Sequence, residues 1–229
     1  MKLASETLTV LKNFSTINDS IFINRGKVLQ TTSPKDKTIL AKAEVKDNFP
    51  VDFGIYELNK FLSILTLGKD APELEFDEHH VIISNLAGRS KLKYRFAAKE
   101  MIVTPPDKKI TMPPIDIKFT LTQEDFDWIM KTASILQSPN FAVESDGDNP
   151  RLTVFDASND SAHTNSIDLD IESSGSSYKM IFKTQNLKMI SGTYDVEISS
   201  KGVSHFNNTK DSIQYWIANE FGSKFEQGK

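Results

Sequence analysis

The sequence predicts an α+β fold made of two tandem copies of one strand-rich domain, each with two helices against its sheets. Three observations lead there. Most of the chain alternates polar and apolar residues in short runs between turn residues, helical periodicity is confined to four short segments, and two stretches far apart match in order and residue kind.

The first helix is predicted over Ser5 to Ile17, where Leu8, Leu11 and Phe14 share one side and Thr9, Asn13 and Thr16 the other. Tyr56 to Leu67 repeats the pattern with Leu58, Phe61, Leu62 and Leu65 inward, and stops before Gly68. A third helix starts at Thr122, whose hydroxyl can cap it with Asp125 three residues on, and Phe126, Ile129, Met130 and Ala133 form its buried stripe. Lys183 to Ile190 is a shorter fourth segment. Strands are expected at Leu74 to Phe76, Val81 to Ser84, Lys91 to Phe96, Ile167 to Ile171, Tyr194 to Ser199 and Ile213 to Ile217. The alternation of Ile167, Leu169 and Ile171 with Asp168, Asp170 and Glu172 marks a sheet with one buried and one wet, acidic face.

LASETLTVLKNFSTI from Leu3 aligns with LTQEDFDWIMKTASI from Leu121, and KYRFA from Lys93 aligns with QYWIA from Gln214. Each half therefore runs helix, strands, helix, strands. Between the halves, MIVTPPDKKITMPP from Met101 to Pro114 carries four prolines, which oppose regular structure and favour an extended connector. The expected division is residues 1–104, a proline-rich connector at 105–114, and residues 115–229.

With 229 residues, 38% of them hydrophobic and 25% charged, the chain has the composition of a folded globular protein. It has no cysteine, which excludes disulfides, thiolate metal sites and a cysteine nucleophile and suits a reducing compartment such as the cytoplasm. No apolar run approaches the roughly 20 residues that span a bilayer, and no signal-peptide pattern opens the chain. A net charge of -4 argues against a protein that binds nucleic acid over its whole surface, so any such contact must be locally organised. Enzyme chemistry lacks residues to carry it: phosphate-loop, dinucleotide-binding and common hydrolase motifs are absent, and no cofactor or metal is expected. His79 and His80 are neighbours that point to opposite faces of an extended segment, and DGDNP at Asp146 to Pro150 reads as a hairpin turn rather than a calcium loop.

Lys12, Lys60, Lys131 and Lys188 fall on or beside the outward side of the four helical segments, one on each. Exposed helix faces commonly carry lysine, so the pattern has a bland reading as well as an electrostatic one. The acidic residues of the same helices cluster in first turns, where the helix dipole favours them.

LKNFSTIN at Leu11 to Asn18, RGK at Arg25 to Lys27 and YELNKFLSIL at Tyr56 to Leu65 closely resemble the T-even phage sliding clamps, DNA polymerase processivity factors of the PCNA-like superfamily. The resemblance continues through FAAKEMIV and the proline connector into TQEDFDWIM, and is weakest between Asn140 and Ser177. It implies the DNA clamp fold: a homotrimeric ring with strands outside, helices around the hole, and duplex DNA held without reading bases. Lys12, Lys60, Lys131 and Lys188 would then face the pore. Leu92, Tyr94 and Phe96 of one subunit would meet Ile167, Leu169 and Ile171 of the next. The C-terminal tail of the polymerase, and the clamp loader, would insert apolar anchors at the connector, at a pocket formed by Ile102, Val103, Ile110 and Met112 with Trp216 and Phe221. A strand-rich phage structural or assembly protein is the competing reading, and the two-copy layout with its helix lysines argues against it.

Overall fold

A computed structural model describes residues 1–68, 70–85, 88–108, 110–171 and 175–228. The chain divides into two compact units, Met1–Lys108 and Lys109–Lys229.

In the first unit, α1 (Ser5–Ile17) covers the segment expected for it. It buries Val10, Leu11, Phe14 and Ile17, spacings of three and four that hold one stripe of the helix against the core, while Leu8 stays half exposed. Its amino end is tied down by the backbone N–H of Ala4, which donates to Asp47 Oδ2 at 2.8 Å. The chain then forms β1 (Ile21–Ile23), β2 (Gly26–Thr32), β3 (Ile39–Phe49) and β4 (Phe53–Ile55). Strands β2 and β3 pair antiparallel, as do β1 and β4. In β3, Ile39, Ala41, Ala43 and Val45 point inward and Lys42, Glu44 and Lys46 outward, and α1 lies against it. Helix α2 (Leu58–Leu65) is shorter at both ends than its periodicity suggested and buries Leu58, Phe61, Leu62 and Leu65. Next come β5 (Glu73–Phe76), β6 (His80–Asn85) and β7 (Ser90–Arg95), an antiparallel sheet in that order. Phe53 joins this sheet to the rest of the core, its ring 5.1 Å from Phe76, 5.0 Å from Phe96 and 5.6 Å from Phe49.

The second unit opens with β8 (Ile117–Leu121) and α3 (Gln123–Leu136). Thr122 caps α3 as its spacing predicts: its Oγ1 accepts the backbone N–H of Asp125 at 3.1 Å. Gln137 closes the helix in the left-handed conformation, φ 53°. Phe126, Ile129 and Ala133 are buried. There follow β9 (Asn140–Asp146), β10 (Arg151–Phe155), β11 (Asn165–Asp168), β12 (Ser177–Lys183), β13 (Tyr194–Ser199), β14 (Val203–Asn208), β15 (Ile213–Ala218) and β16 (Lys224–Glu226). One sheet has the order β11-β10-β9-β12-β16, and β8, β13, β14 and β15 pair successively antiparallel in a second. DGDNP is the β9–β10 turn, where the Asp146 carboxylate accepts the N–H groups of Asp148 and Asn149 and Gly147 takes φ 112°.

The fourth helical segment differs from expectation. Only Thr184–Asn186 forms a 3-10 turn, and Leu187 to Ile190 continue without helical structure. Buried tyrosines explain this. The Tyr194 hydroxyl donates to the carbonyl of Ile190 at 2.5 Å, and the Ile190 N–H donates to the Tyr215 hydroxyl at 3.2 Å. Both backbone groups of Ile190 are thereby satisfied outside any helix. Burial pushes the Tyr194 phenol up to about 12 and also raises that of Tyr215, so both hydroxyls stay neutral and able to donate.

Candidate functional site

Lys12 lies on the exposed side of α1, Lys60 on that of α2 and Lys131 on that of α3, each opposite its helix's buried stripe. Lys188 is exposed too, but on the extended segment after the 3-10 turn rather than on a helix. Lys60 forms a 3.0 Å ion pair with Glu57, with both side chains largely in water, so this contact holds the ammonium only weakly. Lys12 and Lys131 make no ion pair among the described residues. Lys12, Lys60 and Lys131 are thus exposed charges on stiff helical supports.

The two strands named for self-association are edge strands of their sheets. Strand β7 pairs only with β6, and β11 only with β10, among the described residues. On β7, Leu92 and Tyr94 are half buried on the helix side, opposite Ile83 and Val81, and Phe96 follows the strand and packs on Phe53. On the second unit, Ile167 is half buried in β11, opposite Leu152. Leu169 is buried just past the strand's end, where its N–H donates to the carbonyl of Pro150 at 2.8 Å, and Ile171 is half buried beyond it.

Side chains at the connector separate into two kinds. Ile102 is buried in its own unit, while Met101 is 59% and Val103 38% exposed. Val103 and Met101 line an open groove with Tyr56, Asn59 and Pro34, and the Glu57–Lys60 pair stands on its wall. The groove's position is set by Asn18, whose buried amide donates to the carbonyls of Thr32 at 3.1 Å and Val103 at 3.3 Å. In the second unit Ile110 and Met112 are half exposed, Phe221 is exposed, and Trp216 is half exposed with its ring stacked on His205 at 4.8 Å. Lys109, within the connector, lies outside the described residues. Sequence reasoning missed Tyr56, which enters the groove through long-range packing that no local spacing reveals, whereas Met101 belongs to the apolar connector that the sequence singles out.

Electrostatic detail elsewhere is structural. Burial works against the charge of Glu144, but hydrogen bonds from Lys179, Thr153 and Arg151 outweigh it and hold the carboxyl below its ordinary range. Glu197 is lowered by the Lys118 ammonium 2.7 Å away. His79 is exposed, and no metal-holding cluster of histidine and carboxylate is found among the described residues.

Residues 2–104 match the family model described as DNA polymerase processivity factor. The sliding clamp of Vibrio phage KVP40 is 33% identical over 224 residues, covering 96% of this chain and 99% of that protein. The sliding clamp of Enterobacteria phage T4 is 29% identical over 205 residues, covering 88% and 89%. Among solved structures, A. fulgidus PCNA with the C-terminal region of FEN-1 bound matches with a TM-score of 0.69 at 16% identity, over 95% of this chain and 96% of that one. PCNA from Thermococcus kodakaraensis matches with a TM-score of 0.67 at 13% identity, over 96% and 98%. The fold is thus that of the PCNA clamps, and with a third of its residues identical to a phage sliding clamp over nearly its whole length the chain belongs to the T4-type sliding clamps, the DNA polymerase processivity factors.

Proposed function

We propose that the chain works as a closed homotrimeric ring around duplex DNA in the cytoplasm of the infected host, tethering the replicative polymerase and other replication proteins to the template. The observation that carries the ring is that β7 and β11 are both end strands of their sheets. Among the described residues each is unpaired on one side and presents a row of backbone donors and acceptors beside half-buried apolar side chains, and a closed ring covers both rows at once. The relatives' shared role as sliding clamps supports the same reading.

Lys12, Lys60, Lys131 and Lys188 are the charges offered to phosphate. Duplex DNA carries about one negative charge per 1.7 Å of axis, so a loose lining of ammonium groups attracts it at any register and leaves it free to slide. Retention is then topological, and the protein does no chemistry of its own. The polymerase's C-terminal tail and the clamp loader dock by apolar anchors on the connector, at Val103, Ile110 and Met112, with Trp216 and Phe221 as further candidates. The solved complex of A. fulgidus PCNA with the C-terminal region of FEN-1 supports tail binding as a mode for this fold. Ile102, buried in its own unit, supports the connector rather than the tail.

Retention on circular against linear DNA tests the proposal. The protein is loaded by the clamp loader and ATP onto nicked circular DNA, which is then linearised. Stable retention on the circle, rapid loss on cutting, and increased polymerase processivity are the expected results. Equal retention on both forms would mean adhesion rather than encirclement.

A further inference from the structure

We infer that the two edge strands carry opposite charge on their outer faces and that this keys β7 of one copy to β11 of another, fixing head-to-tail order and making the joint sensitive to salt. The inference rests on the ring reading but adds what selects the joint.

On the face of β7 turned away from the helices stand Lys91, Lys93 and Arg95, all exposed and opposite the outward residues Ser84, Ile82 and His80 of β6. None of the three makes an ion pair among the described residues. On the corresponding face of β11 and its continuation stand Asp168 and Asp170, also exposed and without an ion pair among the described residues. Arg151 lies directly opposite Asp168 across β10, but its Nε is bonded to Glu144 at 3.0 Å. Each edge therefore has an apolar inner row and a charged outer row, basic on one strand and acidic on the other.

These rows agree in register. Every strand pair described within the two units is antiparallel, and in an antiparallel ladder with Tyr94 opposite Leu169, Leu92 meets Ile171 and Phe96 meets Ile167. The same ladder sets Lys93 opposite Asp170 and Arg95 opposite Asp168. Because side chains alternate faces, a slip of one residue would place charge against apolar groups, which is costly. Pairing β7 with a second β7, or β11 with a second β11, would set like charges opposite one another. Only the heterologous joint satisfies both rows, and a heterologous joint is what generates a ring.

The experiment compares four chains by sedimentation over a concentration series: wild type, K93E/R95E, D168K/D170K, and the fourfold swap that combines them. A mixture of the two half-swapped chains is no substitute, since an odd-numbered ring cannot alternate them and one joint always stays repulsive. Each half-swapped chain should need at least tenfold higher concentration than wild type to associate, and the fourfold swap should return to within a few-fold of wild type. All four side chains are exposed, so matching far-ultraviolet circular dichroism of the variants shows that folding is intact, whereas melting temperature also reports association. Raising salt from about 50 to about 500 mM should weaken association of wild type without any substitution. If wild type associates and the half-swapped chains associate equally well, or the fourfold swap fails to recover, charge keying is wrong while the ring stands. A wild type that remains monomeric throughout would instead overturn the ring.

Discussion

The ring of Tyr94 on β7 sits edge-on against Phe61 of α2, centroids 5.1 Å apart and planes 69° to one another. This contact ties an edge strand to the helix beneath it. Burial raises the Tyr94 phenol's pKa, consistent with a side chain that faces its own unit. Tyr94→Ala should therefore cost about 1–3 kcal/mol of stability, through lost packing and the lost aromatic pair. Urea unfolding measures it. Tyr94→Phe keeps the ring contact and should change stability little. Tyr94→Asp would disturb the fold and the subunit joint together, which is why the outer charges make the cleaner probe of association.

Glu144 is 12% exposed and receives Arg151 Nε and Lys179 Nζ, both at 3.0 Å, and the Thr153 hydroxyl at 2.8 Å. Removing its charge strands two cations on the β9–β10–β12 face. Glu144→Gln should lower stability by about 1–3 kcal/mol near neutral pH. The folded-state pKa is depressed, so this contribution is fully present above the ordinary glutamate value of about 4.3 and is lost as pH falls through the lower folded value. Chemical denaturation of wild type and variant at pH 7 and near pH 3 should show the gap narrowing in acid. A gap that is the same at both pH values would assign the loss to packing instead.

Substituting Lys12, Lys60, Lys131 and Lys188 together with Glu should leave association unchanged, because none lies on β7 or β11. Loading and retention on DNA should fall, and the dependence of loading on salt should become shallower by up to about one counterion per lysine removed. Primer extension at moderate salt reads both. Lys60→Glu should also set a like charge beside Glu57, so its single effect should exceed that of Lys12→Glu. Normal processive synthesis by the quadruple variant would remove these lysines from the DNA-facing surface.

Helix α1 was legible in its bounds and in the burial of Leu11 and Phe14, because spacing and boundaries are local properties, although Leu8, expected inward, is half exposed and Val10 is buried beside them. The cap at Thr122 was legible for the same reason. The segment from Lys183 was not: its fate is decided by hydroxyls of Tyr194 and Tyr215, which reach Ile190 only once the second unit has folded. The strand over Lys91 to Phe96 was expected, but the charged row Lys91, Lys93, Arg95 gains its meaning only from β7 lying at a sheet edge, which is a fact of topology. The apolar connector looked uniform in sequence, and packing divided it, drawing Ile102 inward and leaving Met101 and Val103 outside.

That division permits a test of partner binding that separates docking from folding. Ile102 packs so closely on Gly54 that its Cδ1 would lie 2.8 Å from a Cβ added there, so Ile102→Ser should lower the melting temperature of the first unit. Val103 reaches the groove from a backbone held by Asn18, and its side chain supports little of the core, so Val103→Ser should leave the melting temperature nearly unchanged. A short tail buries few anchors, and most of its binding energy falls on one or two of them. Val103→Ser should accordingly weaken binding of a polymerase C-terminal peptide by about 1–3 kcal/mol, roughly five- to 150-fold, and adding Ile110→Ser should abolish it while self-association persists. Titration calorimetry with the peptide, alongside sedimentation of the same samples, distinguishes the outcomes. Unchanged affinity in the double variant would place the tail elsewhere on the protein, and lost affinity accompanied by lost association would mean the connector acts through assembly rather than contact.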